Sequence, residues 1–285
     1  MNRKSHNLFE KKSIALMRGD CIDKMKVISN DSVDLLLTDP PYNLGLFMKS
    51  RGTNMGKLRE NHFAVSAWDQ LSVAEWIAKM DEFFSEASRI MKKRGSAIIF
   101  MSLIKAQSII EIAVKHGFYY KTTGIWHKTN PIPRNMNLQF VNSTEAWVYF
   151  IYGASTGVFN NDGRVEHDFV ETSVVPLSEK KCGKHPTQKP IGLMKHFINL
   201  LTNENDVVLD PFMGSGSSGV AASQLNRKFI GIELSQEYFS IAKPLLSHSR
   251  DKFLSFGVTN GIITASSPST GNFPLFAQNR TPPYF

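Results

Sequence analysis

Short apolar runs recur along the chain, and polar or turn-forming residues bound each of them. Four of these runs are SVDLLLTD (32–39), GSAIIFMS (95–102), DVVLDPF (206–212) and KFIGIE (228–233). Runs of this length, rich in Val, Ile and Leu, are typical of strands that are covered on both faces. Segments with helical spacing lie between them. The alternation therefore predicts an α/β domain built on an open, mainly parallel sheet.

Three helices are predicted between the strands. Ser72 and Glu75 have the spacing of a capping box, and apolar residues follow at helical spacing until the charged residues and glycine at 92–95 end the helix. A second helix is predicted over about 105–116, before a glycine. A third follows Pro190, a residue suited to the first turn of a helix. These signals describe structure and carry no chemistry.

Three segments break the alternation. Residues 44–67 and about 152–184 contain several glycines and have no clear period, and the first of the two is basic. Loops of this length in a compact domain are usually functional. The segment 251–285 is rich in Ser, Thr, Gly, Asn and Pro, which predicts a loosely packed C-terminal tail. The sequence thus predicts one domain over 1–250 that carries long insertions.

The charge of the chain points to a polyanionic partner. The 285 residues carry a formal charge of +8, with a pI near 9.4, so nucleic acid is the first candidate and an acidic membrane surface the second. The hydrophobic content of 42% is that of an ordinary globular protein. Apolar runs long enough for a membrane span or a signal peptide are not found, so neither is predicted.

Cysteine and histidine usage predicts neither a disulfide framework nor a metal site. Cys21 and Cys182 are the two cysteines, which suits a reducing cytoplasm. His185 has no partner at the spacing of metal ligands, so we interpret it as a solvated or hydrogen-bonded side chain.

A glycine-rich turn follows the third apolar run. Gly214, Gly216 and Gly219 stand in G-x-G-x-x-G spacing directly after Asp210. Glycines let a ligand and the following helix approach such a turn closely, and the helix N-terminus offers amide donors. The next run ends on Glu233, whose carboxylate can accept hydrogen bonds from ribose hydroxyls. The pattern indicates a nucleoside cofactor, NAD among the candidates, or else a tight turn that only packs a helix closely.

A stiff turn ends the first apolar run with Asp39, Pro40, Pro41 and Tyr42. Proline fixes its own φ and pushes the residue before it out of the helical region, so the turn is extended. It presents the Asp39 carboxylate and the Pro40 carbonyl as hydrogen-bond acceptors, followed by an aromatic ring. Two acceptors and a stacking face suit an exocyclic amino group on a planar base.

Three motifs together resemble a known family. TDPPYNLG, HPTQKPIGLM and LDPFMGSGSSGVAA, in this order, are similar to those of the permuted amino-DNA methyltransferases that use S-adenosylmethionine, over about residues 14–246. The resemblance implies a Rossmann-like methyltransferase fold with a seven-stranded type of sheet, helices on both faces and a small inserted recognition region. An aspartate at the start of the proline turn, where a serine stands in other members, implies the adenine-N6 type.

The resemblance also implies roles for individual residues. Asp39 and the Pro40 carbonyl would hold the target amino group, and Tyr42 would stack on a base flipped out of the duplex, with Pro41 completing the catalytic turn. The cofactor contacts would come from Asp20, Cys21, Asp39, His185, Thr187, Lys189, Asp210, Phe212, Gly214, Gly216, Ser217, Glu233 and Leu234.

DNA is the macromolecular partner that the resemblance implies, and a homodimer and a cognate restriction endonuclease stay open. Segments 44–67 and 130–184 would recognise the target, through Lys49, Arg51, Lys57, Arg59, Asn130, Arg134, Asn135 and Asn137. Basic residues suit phosphate contacts, and amides suit base edges. Solvated charges and ordinary turn chemistry explain these residues nearly as well.

Simpler roles and rival functions remain at this point. Asp39 and Asp20 also fit helix caps or turns, and Tyr42 fits a core aromatic.

Cytosine-N4 methylation is the nearest rival function. An NAD-linked oxidoreductase would leave the proline turn without a role. Protein and RNA methyltransferases with a similar Asn-Pro-Pro-Tyr element carry the glycine turn first, and a catalytically dead DNA-binding module would have lost Asp39.

Overall fold

The computed structural model describes residues 12–43, 71–133, 137, 140–180, 188–247, 256–259 and 262–266. The strands are β1 Lys12–Arg18, β2 Val33–Thr38, β3 Met91–Met101, β4 Phe118–Lys128, β5 Thr144–Tyr152, β6 Phe169–Thr172, β7 Val207–Asp210, β8 Lys228–Glu233, β9 Phe256–Thr259 and β10 Ile262–Ser266. The α-helices are α1 Cys21–Met25, α2 Val73–Ile90, α3 Leu103–Lys115, α4 Ile191–Leu201, α5 Ser217–Gln224 and α6 Gln236–Ser247, and a 3-10 helix covers Leu177–Lys180.

All these strands form one open sheet in the order β6-β4-β5-β3-β2-β7-β8-β1-β10-β9. The centre, β3-β2-β7-β8-β1, is parallel, and β5 runs antiparallel to both of its neighbours. The predicted fold class is confirmed. The described part of the sheet has ten strands rather than seven, because β6 extends one edge and β9 and β10 extend the other.

Alternate residues of the strands face two separate cores. On β2, Leu36 packs with α1, α2 and α3 on one face, while Leu35 and Leu37 pack with α4, α5 and α6 on the other. This alternation explains why the central strands are apolar throughout, since both faces of each strand are covered.

The capping box at the start of α2 is confirmed. The Ser72 side chain accepts from the Glu75 amide, and the Glu75 side chain accepts from the Ser72 amide. The predicted end of this helix was wrong, since residues 91–95 begin β3. Met91 is extended and pairs with Val33, so the charged residues that follow it lie in a strand rather than in a last helical turn.

The other differences concern short elements. Helix α3 begins at Leu103, slightly before the predicted start, and Pro190 is the N-cap of α4 rather than part of its first turn. The segment 152–184, predicted as a loop, contains β6, which pairs with β4 over four residues. Strands β9 and β10 lie in the predicted tail, and β10 pairs with β1. A strand of four or five residues has too few positions to show a period.

The predicted loop 44–67 lies outside the described residues. Within the described part of the chain, we find no helix that is both long enough and apolar enough to span a membrane.

Candidate active site

Four acidic residues follow four neighbouring strands at one edge of the sheet. Asp39 follows β2, Asp210 ends β7, Glu233 ends β8, and Asp20 stands shortly after β1. These strands are adjacent in the order β2-β7-β8-β1 and parallel, so their carboxyl ends meet at the same edge. Ligands of open α/β sheets bind at this edge. The proline turn after β2 and the glycine turn after β7 therefore lie at the ends of adjacent strands, as expected if they form one site.

The polar groups of the proline turn are held from several sides. The Tyr42 hydroxyl donates to Oδ1 of Asp39 at 2.5 Å, and the Trp76 indole donates to the Pro41 carbonyl at 3.4 Å. Among the described residues, none donates to the Pro40 carbonyl. The carbonyl that the sequence analysis assigned to the target amino group is therefore available as an acceptor.

A chain of alternating charges leads away from Asp39. The Lys189 ammonium donates to Oδ2 of Asp39 and lies 3.1 Å from Oε2 of Glu145, whose Oε1 lies 2.6 Å from the Lys128 ammonium. We call Lys128, Glu145, Lys189 and Asp39 the charge chain. The Lys189 side chain is only 8% exposed, and its ammonium lies 5.1 Å from the centre of the Phe100 ring.

Burial and neighbouring charges change the pKa of three members of the charge chain. Burial raises the pKa of Asp39, and the nearby Glu145 carboxylate adds to this rise, while Lys189 opposes it. Burial alone would raise the pKa of Glu145, but the ammonium groups of Lys189 and Lys128 lower it below its ordinary value. Burial would lower the pKa of Lys189, yet the two carboxylates raise it instead. Lys189 is therefore a permanent cation.

Asp210 is a buried carboxyl beneath the glycine turn. Its Oδ1 accepts from the Thr38 hydroxyl at 2.8 Å and from the Phe212 amide at 3.1 Å, and its Oδ2 accepts from the Ser218 hydroxyl at 2.5 Å. Burial raises the pKa of Asp210 to about 6 despite these hydrogen bonds. Asp210 thus ties β2, the turn and α5 together.

The three glycines of the glycine turn serve different needs. Gly214 and Gly216 have φ of 52° and 85°, and Gly216 is the N-cap of α5. A Cβ on Gly219 would lie 2.6 Å from carbon atoms of both Leu246 and Phe229, so this glycine lets α5 pack closely. The first two shape the turn, and the third brings the helix against the sheet.

Glu233 holds the turn from the next strand. Its Oε2 accepts from the Gly214 amide at 3.0 Å, and its Oε1 accepts from the Ser235 amide at 2.7 Å. Burial raises the pKa of Glu233. The carboxylate still has lone-pair capacity for a further donor.

A pocket lies between the ends of β2 and β7. Asp39, Lys189, Asp210, Phe212 and Gly214 are among the residues that line it, with the Phe100 ring at one wall. Ser217 also lines it, and its buried hydroxyl has no hydrogen-bond partner among the described residues. The buried Oε1 of Gln188 in the same wall is equally unpartnered there.

The remaining predicted cofactor residues lie around the end of β1. Asp20 is the N-cap of α1 and accepts from the Ile22 amide at 2.9 Å, so it has the cap role that the sequence left open. Cys21 is buried in the first turn, and burial raises its pKa well above the ordinary value. The Gly19 amide donates to the Glu233 carbonyl, which brings this corner beside β8, and Leu234 is 47% exposed there.

Several predicted contacts lie outside the described residues. These are His185, Thr187, Lys49, Arg51, Lys57, Arg59, Arg134 and Asn135. Asn137 is exposed. Asn130 is exposed as well, and its side-chain oxygen accepts from the Val174 amide at 2.8 Å, a long-range contact that ties this segment to the one after β6.

Glu145 and Lys128 belong to the site but were not predicted from the sequence. Glu145 stands at the start of an apolar run, STEAWVYF, where a charge reads as the polar end of a strand. Its contact with Lys128 depends on the antiparallel pairing of β4 and β5, and its contact with Lys189 joins two distant segments, neither of which a local pattern predicts. Lys189 was predicted as a cofactor contact, and it does line the pocket, but its ammonium points to Asp39 and Glu145.

Comparison with known proteins gives the family. Residues 33–244 match the model of the N6/N4 methyltransferase family, described as DNA methylase. The Type II methyltransferase M2.LlaDCHI of Lactococcus lactis subsp. cremoris is 33% identical over 249 residues, which are 84% of this chain and 91% of that protein. The chain belongs to the N6/N4 family of DNA methylases, so the predicted family is confirmed.

Solved structures agree with this assignment. The crystal structure of an M1.HpyAVI–SAM complex is 30% identical, with a TM-score of 0.63 over 82% of this chain and 98% of that one. The PvuII DNA methyltransferase, which is cytosine-N4-specific, has a TM-score of 0.65 at 19% identity over 84% of this chain and 90% of that one, a likeness that concerns the fold alone. The fold therefore does not by itself exclude cytosine-N4 methylation.

Proposed function

We propose that this protein is a site-specific DNA methyltransferase that transfers a methyl group from S-adenosylmethionine to the N6 amino group of adenine. The observation that carries the proposal is the position of Asp39. Its carboxylate lines a pocket that residues of the glycine turn also line, and the adjacent Pro40 carbonyl accepts from no donor among the described residues. An acceptor for an amino group and a cradle for a nucleoside thus share one cavity.

The residues of the glycine turn fit S-adenosylmethionine. Gly214 and Gly216 adopt the positive φ that shapes the turn, and the Ser217 hydroxyl, which has no partner among the described residues, offers a hydrogen bond to a ligand in the pocket. Glu233 keeps lone pairs for the ribose hydroxyls. When bound, the cofactor supplies a methyl group on a positively charged sulfur, which is an excellent leaving group.

The proline turn prepares the amino group for attack. An aromatic amine is a weak nucleophile, since its lone pair is delocalised into the ring. Asp39 and the Pro40 carbonyl each accept one N–H, which returns electron density to the nitrogen and orients the lone pair. Positioning of this kind contributes about 7–11 kcal/mol in favourable cases. The raised pKa of Asp39 makes it a stronger acceptor than an exposed carboxylate.

Proton transfer follows methyl transfer. The new N–C bond forms as the S–C bond breaks, and the nitrogen then carries one proton too many. Asp39 already accepts a hydrogen bond from this nitrogen, so it is placed to take that proton and pass it to solvent. Its side chain is 23% exposed, which leaves a path for this step.

DNA binding follows from charge and from the need to expose the base. The formal charge of +8 attracts the phosphate backbone. An amino group inside a duplex cannot reach the pocket, so the base is flipped out, at a cost of a few kcal/mol. The Tyr42 ring is the stacking face beside the two acceptors, and segments 44–67 and 130–184 supply recognition.

Cytosine-N4 methylation is the second candidate, because a cytosine also presents an exocyclic amino group. The experiment that separates the two uses DNA from a host without DNA methylation, incubated with the protein and methyl-tritiated S-adenosylmethionine. Digestion to nucleosides is expected to give label in N6-methyl-2′-deoxyadenosine. Label in N4-methyl-2′-deoxycytidine would select the second candidate, and unlabelled DNA would refute both.

The proposal extends to the setting of the enzyme. A methyltransferase of this kind acts on DNA in the cytoplasm, which suits the cysteine content. A homodimer and a cognate restriction endonuclease are the partners to look for, because the relatives are Type II methyltransferases.

A further inference from the structure

Glu145 sits between two lysines that come from different parts of the fold. Lys128 ends β4, Glu145 is the second residue of β5, and Lys189 immediately precedes the N-cap of α4. The ammonium of Lys189 is shared between Glu145 and Asp39, while Lys128 balances the other oxygen of Glu145. The charge chain therefore contains two cations and two anions in alternation.

We propose that Glu145 is a positioning residue for methyl transfer, which holds the Lys189 ammonium between two carboxylates and so keeps Asp39 a strong hydrogen-bond acceptor. The inference rests on the proposed function. It assigns Glu145 no contact with DNA or cofactor, since its action passes through Lys189.

Stability alone is a poor reason for this arrangement. A buried ion pair recovers little more than the cost of removing its charges from water, and an apolar replacement is often as stable. Lys189 is nearly fully buried, and both carboxylates are mostly buried as well. An ammonium in this place is explained better by what it does to Asp39 than by what it adds to folding.

Sharing the ammonium sets the basicity of Asp39. Among the described residues, the charged or titratable groups that face Asp39 are Tyr42 from its own turn, Lys189, Glu145 from β5 and Asp210 from β7. Without the negative charge of Glu145, the Lys189 ammonium would interact with Asp39 alone. It would then stabilise the ionised Asp39 carboxylate more strongly. The pKa of Asp39 would fall, because the Glu145 carboxylate raises it. A weaker acceptor activates the amine less.

The test uses Glu145→Gln, which keeps the shape and removes the charge. Single-turnover methylation is followed from pH 5 to 9 at saturating S-adenosylmethionine, on genomic DNA from a host without DNA methylation. We expect the plateau rate to fall about tenfold or more, since small misplacements of catalytic groups cost up to about a hundredfold. The acid limb of the profile is expected to move to lower pH, because the Glu145 carboxylate raises the pKa of Asp39. A separate titration of S-adenosylmethionine is expected to give a KM unchanged within about twofold.

Lys128→Met is expected to shift the pKa of Asp39 in the opposite direction. It removes the other partner of Glu145, so Lys189 moves toward Glu145 and the pKa of Asp39 rises. The acid limb is then expected to move to higher pH. If Glu145→Gln does not fold, as judged by thermal unfolding, the direction of the shift in Lys128→Met decides the matter.

Asp34→Asn is the matched control. Asp34 is a partly buried carboxylate paired with Lys92 at 2.8 Å, near the opposite end of β2. This variant is expected to lose stability without any shift of the acid limb. The proposal is overturned if folded Glu145→Gln keeps the wild-type limb and rate, or if Lys128→Met shifts the limb downward or leaves it in place. Wild-type protein that methylates no DNA would instead defeat the proposed function.

Discussion

The Tyr42 hydroxyl donates a 2.5 Å hydrogen bond to Oδ1 of Asp39, so the aromatic ring and the carboxylate of the proline turn hold each other in place. The ring also packs against the core on the side of α1, α2 and α3. The two side chains that the sequence predicts for amine binding and for base stacking therefore constrain each other's positions.

Tyr42 variants separate the ring from its hydroxyl. Tyr42→Phe keeps the stacking face and removes a hydrogen bond that lowers the pKa of Asp39, so methylation is expected to persist with its acid limb at higher pH. Tyr42→Ala loses the ring, and its kcat/KM is expected to fall about 5- to 150-fold, in line with the roughly 1–3 kcal/mol of base stacking. The measurement is initial rate against pH.

Tyr119→Phe serves as the control for these variants. Tyr119 lies on β4 with half of its side chain exposed, and it does not line the pocket. Its variant should match the wild type. Full activity in Tyr42→Ala would contradict the stacking role.

Ser217 and Ser223 test the cofactor pocket as a pair. Both hydroxyls are buried on α5 without a partner among the described residues, but only Ser217 lines the pocket. Neither alanine variant is expected to lose stability, because an unpaired hydroxyl contributes little to folding. Ser217→Ala is expected to weaken S-adenosylmethionine binding about threefold to tenfold, the worth of one hydrogen bond. Calorimetric titration checks this, and an equal effect of Ser223→Ala would argue against a specific contact.

Asp210 gives the protein a pH-dependent stability. Its pKa is about 6 in the folded protein against an ordinary 3.8, so the folded state binds this proton more tightly than the unfolded state. The stability that this carboxyl contributes is fully present at a pH below its ordinary pKa of 3.8, and it is lost as the pH rises through about 6.

Asp210→Asn removes this dependence. Relative to the wild type, its free energy of unfolding is expected to grow by up to about 3 kcal/mol between about pH 4 and pH 8. Urea unfolding of both proteins without cofactor at several pH values measures the difference. A difference that stays constant across this range would show that Asp210 keeps its ordinary pKa when folded.

The strand-end acids could be predicted because their position follows from local patterns. Asp39 and Asp210 each come directly after a buried apolar run, and parallel strands bring such ends to one edge. Gly214 and Gly216 could likewise be read as a turn, since few residues other than glycine adopt their positive φ.

Other features could not be predicted because they depend on distant partners. Glu145 gains its role from Lys189, which lies in another segment, and from the reversed direction of β5. Met91 looks like a helix end in sequence, and only its pairing with Val33 makes it the start of a strand. The contacts of Asp20 were ambiguous in the same way, because a helix cap and a ligand contact use the same residue type.

The most direct test of the central claim is a map of modified bases in a host that lacks DNA methylation. Single-molecule sequencing after expression of the wild type is expected to find N6-methyladenine at one recurring sequence. Asp39→Ala, at equal protein level, is expected to leave the DNA unmodified. Undiminished methylation in Asp39→Ala, or modification of cytosine by the wild type, would contradict the account.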